Sequence, residues 1–259
     1  MLILSIDTAT PVAGVSLVDD NTIRYEGLVN NGYKHSRNIL GMIDTALRQS
    51  GCDLADVDAI AVTTGPGSFT GLRIGLATAK GLALAAGKPL IGIPTLDAVA
   101  HSLDWRSGLI CPVMNARKGE VYASFYRETG NGLERLSEYV AVSPDILAGM
   151  ALGLMEEAGC RTVIMAGDGV KEYRERLQGS LGTSLLIPPE HWLPRASSVG
   201  VLAARRWAGG QKDDVYSLVP NYVRPSEAEV KLLRAGGNEH GGTDSKGNEA
   251  ERPGPGVGD

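Results

Sequence analysis

The run from Ala59 to Lys80 constrains the fold of this chain more than any other stretch. Ala59 to Thr64 is apolar and β-favouring, Gly65-Pro66-Gly67 interrupts it, and a 3.6-residue period begins near Ser68 or Thr70. The pattern predicts a strand, a glycine-rich turn and a helix. A helix N-terminus carries unpaired N–H groups and partial positive charge, and glycine lets the main chain approach an anion closely. Gly65, Gly67, Ser68 and Gly71 are therefore candidate phosphate contacts. No Gly-Lys-Ser/Thr follows, so this is not a Walker A loop, and most such junctions bind nothing.

Three β-rich runs precede that stretch: Leu2 to Asp7, Val12 to Val18 and Thr22 to Leu28, with turn residues between them. A helix over Ser36 to Ser50 places Ile39, Leu40, Ile43, Ala46 and Leu47 on one face and stops at Gly51. The helix of the opening stretch runs to about Ala86, where Gly87-Lys88-Pro89 ends it. The order is βββαβα. It is expected again in Leu109 to Asn115, Glu120 to Arg127 and Arg135 to Val142 as strands, then a helix capped at Ser143-Pro144, a strand over Thr162 to Ala166 and a helix over Val170 to Leu177. Further helices are expected over Ser197 to Ala208 and Ser226 to Leu233. The glycine-rich polar segment 235–259 is expected to be disordered, since it cannot bury enough apolar area to offset chain entropy.

At 259 residues, 43% hydrophobic and 21% charged, the chain has ordinary globular composition. It shows no leader-like start and no apolar run of about 18 residues, so a cytoplasmic protein without membrane contact is expected. Cys52, Cys111 and Cys160 are odd in number and widely spaced, which suits reduced thiols. Twenty-five Lys and Arg against 30 Asp and Glu give a formal charge of −5. That balance disfavours tight binding of nucleic acid by this chain alone.

Two βββαβα units resemble the two-lobed α/β fold shared by actin, hexokinase and the heat-shock ATPases, a duplicated ribonuclease H-like arrangement. The resemblance implies a first lobe of residues 1–103 plus 196–233 and a second of 104–195. It also puts Asp7, with Thr8 and Thr10 in the following turn, where that superfamily organises a nucleotide's magnesium. An aspartate that merely stabilises the turn explains the residue equally well.

A narrower resemblance rests on Ile6 to Thr10, His35-Ser36, Thr64 to Gly75, Gly92 to Asp97 and Asn115 to Tyr122. Together these strings resemble the TsaB (YeaZ) family, over most of residues 1–230. The resemblance implies a non-catalytic subunit that pairs with the catalytic relative TsaD in threonylcarbamoylation of the tRNA adenosine beside the anticodon. An ATPase, TsaE, joins them, and tRNA is met only through the complex. It implies no required cofactor, with ATP or ADP entering only in the assembled complex. Catalytic relatives hold a metal through His-x-x-x-His, whereas this chain has Asp97 at the first position and His101 at the second.

A scaffold subunit needs a docking face. Gly71, Gly75, Ala79, Ala83 and Gly87 recur every fourth residue, a groove into which another helix could pack. Beside it the first helix offers Ile39, Met42 and Ile43, with His35 at its start. The resemblance makes these residues the docking surface, with homodimers through the same face when the partner is absent. Packing of both helices on their own sheet is the competing expectation. A rival function is an independent ATP-dependent small-molecule kinase or ATPase using Asp7 and the glycine loop, and a third is direct RNA binding, which the charge opposes.

Overall fold

In a computed structural model, described for residues 1–30, 38–103, 108–130, 132–188 and 194–224, Met1–Val223 form one compact unit. The expected helix over 226–233, the tail 235–259 and His35 lie outside the described residues. The chain runs β1 (Leu2–Asp7), β2 (Val12–Asp19), β3 (Thr22–Asn30), α1 (Ile39–Gln49), β4 (Ala59–Gly65), α2 (Phe69–Ala86), β5 (Leu90–Pro94) and α3 (Thr95–Ser102). It continues through β6 (Leu109–Arg117), β7 (Glu120–Ala123), β8 (Tyr126–Thr129), β9 (Gly132–Arg135), β10 (Val140–Val142), α4 (Pro144–Glu157), β11 (Val163–Ala166), α5 (Asp168–Leu181), β12 (Leu185–Leu186) and α6 (Ala196–Ala208).

Sheet 1 has the order β3-β2-β1-β4-β5, with β1, β2 and β3 antiparallel and β1, β4 and β5 parallel. Sheet 2 repeats it as β10-β7-β6-β11-β12, again antiparallel through β6, β7 and β10 and parallel through β6, β11 and β12. The duplication expected from element order is therefore present in strand order as well. The difference lies in the second half, where the expected strand Glu120 to Arg127 breaks into β7 and β8. The β8–β9 hairpin then pairs with the start of β6. The expected strand from Arg135 to Val142 likewise divides into β9 and β10.

Side chains alternate across sheet 1. Leu2, Leu4, Ile6, Val15, Leu17, Ile60 and Val62 face α1 and α2, while Ile3, Ala59, Ala61, Ile91 and Ile93 face α3 and α6. In sheet 2, Leu109, Cys111 and Val113 face α4 and α5. On the other side Ile110, Tyr126 and Ile164 meet Ala100 of α3 and Leu103 just after it. Helix α3 thus packs against both sheets, with Ala98 in one core and Ala100 in the other.

Local capping sets the helix ends. Ser68 Oγ accepts from Gly71 N at 3.2 Å to open α2, and Gly87 closes it in the left-handed region at φ 65°. Ser143 Oγ does the same for Ile146 N at the start of α4, with Pro144 in the first turn. Beyond α6 the chain returns as a strap along β5 and α2. Asp213 N donates to Leu90 O at 2.9 Å and Asn221 N to Thr64 O at 2.6 Å, which covers part of an otherwise open sheet edge.

Candidate functional site

The glycine turn after β4 lies against the turn that joins β1 to β2. Ser68 N donates to Ala9 O at 2.7 Å, and Thr8 Oγ1 donates to Gly71 O at 2.8 Å. A Cβ added at Gly67 would come within 2.5 Å of Ala9 O, and one at Gly65 within 2.6 Å of Asn221 O. At Gly71 it would strike Thr8 O, and at Gly75 the Thr8 hydroxyl. The close approach that these glycines permit is made by the protein's own main chain at Gly65, Gly67 and Gly71 and by the Thr8 hydroxyl at Gly75. Gly65, Gly67 and Gly71, read from the sequence as candidate phosphate contacts together with Ser68, thus lie against the carbonyls of Asn221, Ala9 and Thr8.

Asp7 and Thr8 belong to the same knot. Asp7 is 1% exposed, and its Oδ1 accepts from Ala9 N at 3.0 Å and Thr63 Oγ1 at 2.8 Å. Its geometry is that of a carboxylate stabilising a turn, from Asp7 to the amide two residues on. Thr8 is fully buried; Thr10, at the far end of the turn, makes an ST turn with Val12 N at 3.2 Å.

Thr10 borders a cavity of about 790 Å³ between the β1–β2 turn, α3 and the start of α5. Val99, Met114, Asp168, Lys171 and Arg174 contribute to its wall. Asp168 accepts from Asn115 N at 3.0 Å, and burial raises its carboxyl above the ordinary range against the pull of that bond. These α5 residues carry no short-range sequence motif. Only the strand-turn-helix order at Ala166 to Gly169 could have drawn attention to them.

The four-residue strip on α2 is turned inward. Gly71 and Gly75 are buried against Thr8, and Ala79 and Ala83 are 0% and 2% exposed within the core that contains Leu4, Val62 and Ile43. Ile39 and Ile43 are also buried, with Met42 half-buried beside them. The strip is therefore corrected from a docking groove to the contact between α2 and its own sheet. The residues that reach solvent include Phe69, Arg73, Ala77, Gly81 and Leu84 on α2, with Leu40, Gly41, Asp44 and Arg48 on α1. Leu84 and Leu40 are 50% and 61% exposed, and a Cβ at Gly41 or Gly81 would meet nothing within 4 Å. Phe69 stacks on Tyr222 of the strap with ring centroids 5.4 Å apart, and the Arg73 guanidinium lies 3.7 Å from the Phe69 ring centre.

Asp97 and His101 are one turn apart on α3. Asp97 Oδ1 accepts from Tyr126 Oη at 2.6 Å and Tyr139 Oη at 2.8 Å, both from the second half of the chain. The three cysteines are free, with Cys111 fully buried and its thiol pushed up by burial.

Comparison with known proteins adds what geometry alone does not. The chain is 32% identical to the tRNA threonylcarbamoyladenosine biosynthesis protein TsaB of Bacillus subtilis (strain 168), over 91% of this chain and 99% of that protein. It is 34% identical to TsaB of Escherichia coli (strain K12), over 90% of this chain and 98% of that one. The chain belongs to the TsaB (YeaZ) family. A family model described as TsaD, tRNA N6-adenosine threonylcarbamoyltransferase, matches residues 30–232. YeaZ from Pseudomonas aeruginosa superposes with a TM-score of 0.71 at 24% identity, covering 85% of this chain and 99% of that one. The TsaB fold is accordingly the duplicated α/β arrangement expected from the sequence. Among the described residues no helix is long and apolar enough to cross a membrane.

Proposed function

We propose that this chain is a non-catalytic, cytoplasmic subunit in the biosynthesis of tRNA threonylcarbamoyladenosine, pairing with the catalytic relative TsaD. The observation that carries this reading is identity above 30% to curated TsaB proteins along nearly their whole length. The docking surface is the outward side of α1 and α2: Leu40 and Gly41 beside Phe69, Arg73, Ala77, Gly81 and Leu84. Small residues at 41, 77 and 81 permit close helix approach, and the exposed leucines and Phe69 supply apolar area to bury. In the absence of TsaD the same surface pairs two copies of this chain.

The packing of Ala9 O and Thr8 O against the glycine turn supports a reading in which this chain alone requires no nucleotide. In this reading ATP or ADP and the ATPase TsaE act in the assembled complex, and tRNA is reached through TsaD.

Co-purification with TsaD of the same organism tests the surface. Gly81→Trp or Leu84→Asp should weaken the complex at least about tenfold, since a bulky or charged group at the centre of an interface costs on the order of 2 kcal/mol. Circular dichroism should remain that of the wild type. Undiminished binding by both variants would remove α2 from the interface.

A further inference from the structure

Helix α3 is the connection between the two sheets and packs against both, so its placement sets how the sheets stand relative to one another. Most of that packing is apolar: Ala98 on the sheet 1 side, Ala100 and the following Leu103 on the sheet 2 side, and Leu96 between Ala9, Leu72 and Met114 of the two halves. Apolar contact is non-directional and tolerates sliding. Asp97 differs. It stands in the first turn of α3, and its Oδ1 accepts hydrogen bonds from the hydroxyls of Tyr126 at the start of β8 and Tyr139 just before β10. Tyr126 is 3% exposed, and the Arg135 guanidinium lies 4.4 Å from the centre of the Tyr139 ring.

We propose that Asp97, Tyr126 and Tyr139 form a lock that holds the two sheets at one relative angle and keeps the cavity between them at a single width. Hydrogen bonds to an ionised acceptor are short, directional and stronger than neutral ones, so two of them converging on one carboxylate fix both the position and the rotation of α3. Arg135, stacked on Tyr139, places a positive charge beside the same group. Burial, and then the charge of Asp97, raise both phenols well above the usual tyrosine range, so both remain donors. The lock bears on the cavity directly, because Val99 follows Asp97 on α3 and Met114 belongs to sheet 2, and both line it. The proposal stands apart from the assignment of a docking partner, since it concerns the isolated chain.

A spin-label distance measurement on the full chain tests it. Nitroxides are attached at Gln49→Cys on α1 and Glu157→Cys on α4, both exposed, with Cys52 and Cys160 replaced by serine and Cys111 left buried. The otherwise native chain should give one narrow distance distribution. Asp97→Ala should broaden it about twofold or add a second distance, as for a shear or hinge motion set free. Tyr139→Phe, which removes one bond and keeps the ring, should broaden it less. If Asp97→Ala does not fold by circular dichroism, the Tyr139→Phe and Tyr126→Phe variants decide. A distribution as narrow as that of the native chain in every folded variant would overturn the lock.

Discussion

At the scale of the residue, the glycines of α1 and α2 separate into two classes by what surrounds them. A Cβ at Gly71 or Gly75 collides with Thr8, whereas at Gly41 and Gly81 it enters open space. Gly71→Ala and Gly75→Ala should each destabilise the protein by about 2 to 4 kcal/mol, because the obstructing atoms are a buried carbonyl and a hydroxyl held by hydrogen bonds. Gly41→Ala and Gly81→Ala, inside exposed helix faces, should instead stabilise it by about 0.5 to 1 kcal/mol. Urea titration distinguishes the pairs, and equal effects at all four positions would contradict the inward orientation of the strip. Asp168 adds a pH term. Burial raises its folded pKa above the ordinary 3.8, so the native state holds the proton longer than the unfolded chain does. Stability from this group is present at low pH and is lost as pH rises from about 3.8 through the folded value. Asp168→Asn should flatten that decline in the urea midpoint between acid and neutral pH; a slope identical to that of the wild type would show that the carboxyl titrates normally.

At the scale of the element, periodicity found most helices and strands but not which way each one turned. The every-fourth spacing of Gly71, Gly75, Ala79 and Ala83 marks one face of α2 correctly. Whether that face meets a sheet or a partner depends on Thr8 and Val62, which are remote in sequence. The turn at Gly65 to Gly71 was legible as a place of close approach, and the approaching group was not, because Ala9 O comes from the turn after β1, more than 50 residues away in sequence. Caps were legible outright: Ser143-Pro144 and Gly87 stand where the residue types require. Ser143→Ala should therefore cost about 1 kcal/mol by removing the acceptor for Ile146 N. β5, of five residues, and α3, of eight, were lost, whereas the equally short β11 was legible from the apolar run that ends at Gly167. Yet α3 carries Asp97, so the side chain that joins the two sheets sits in an element too short to announce itself.

At the scale of the whole molecule, the duplicated strand order followed from element order because antiparallel hairpins and short crossovers leave few other arrangements. The strap from 209 to 224 did not, since it has almost no regular structure and its fixings are long-range. Its principal anchor is Asp213, whose Oδ2 accepts from Gly92 N at 2.7 Å and whose two oxygens receive the Arg206 guanidinium at 3.0 and 3.3 Å. Arg206 also donates to Gly92 O, so α6, β5 and the strap meet at one carboxylate. Removing it leaves the Gly92 N–H without its acceptor beneath a partly buried guanidinium, and it loosens the cover of the β5 edge. Asp213→Ala should lower stability by about 2 to 3 kcal/mol, and it should promote association through the bared strand, seen as light scattering on heating. Asp213→Asn retains an acceptor for Gly92 N and loses the charge, so its cost should fall between that of Asp213→Ala and the wild type. Differential scanning calorimetry with scattering measured in parallel separates the two effects. If the Ala variant lost stability without scattering, the carboxylate would serve as an internal bond alone, and the strap's cover of the sheet edge would have to rest on Asn221 and the stacked Tyr222 instead.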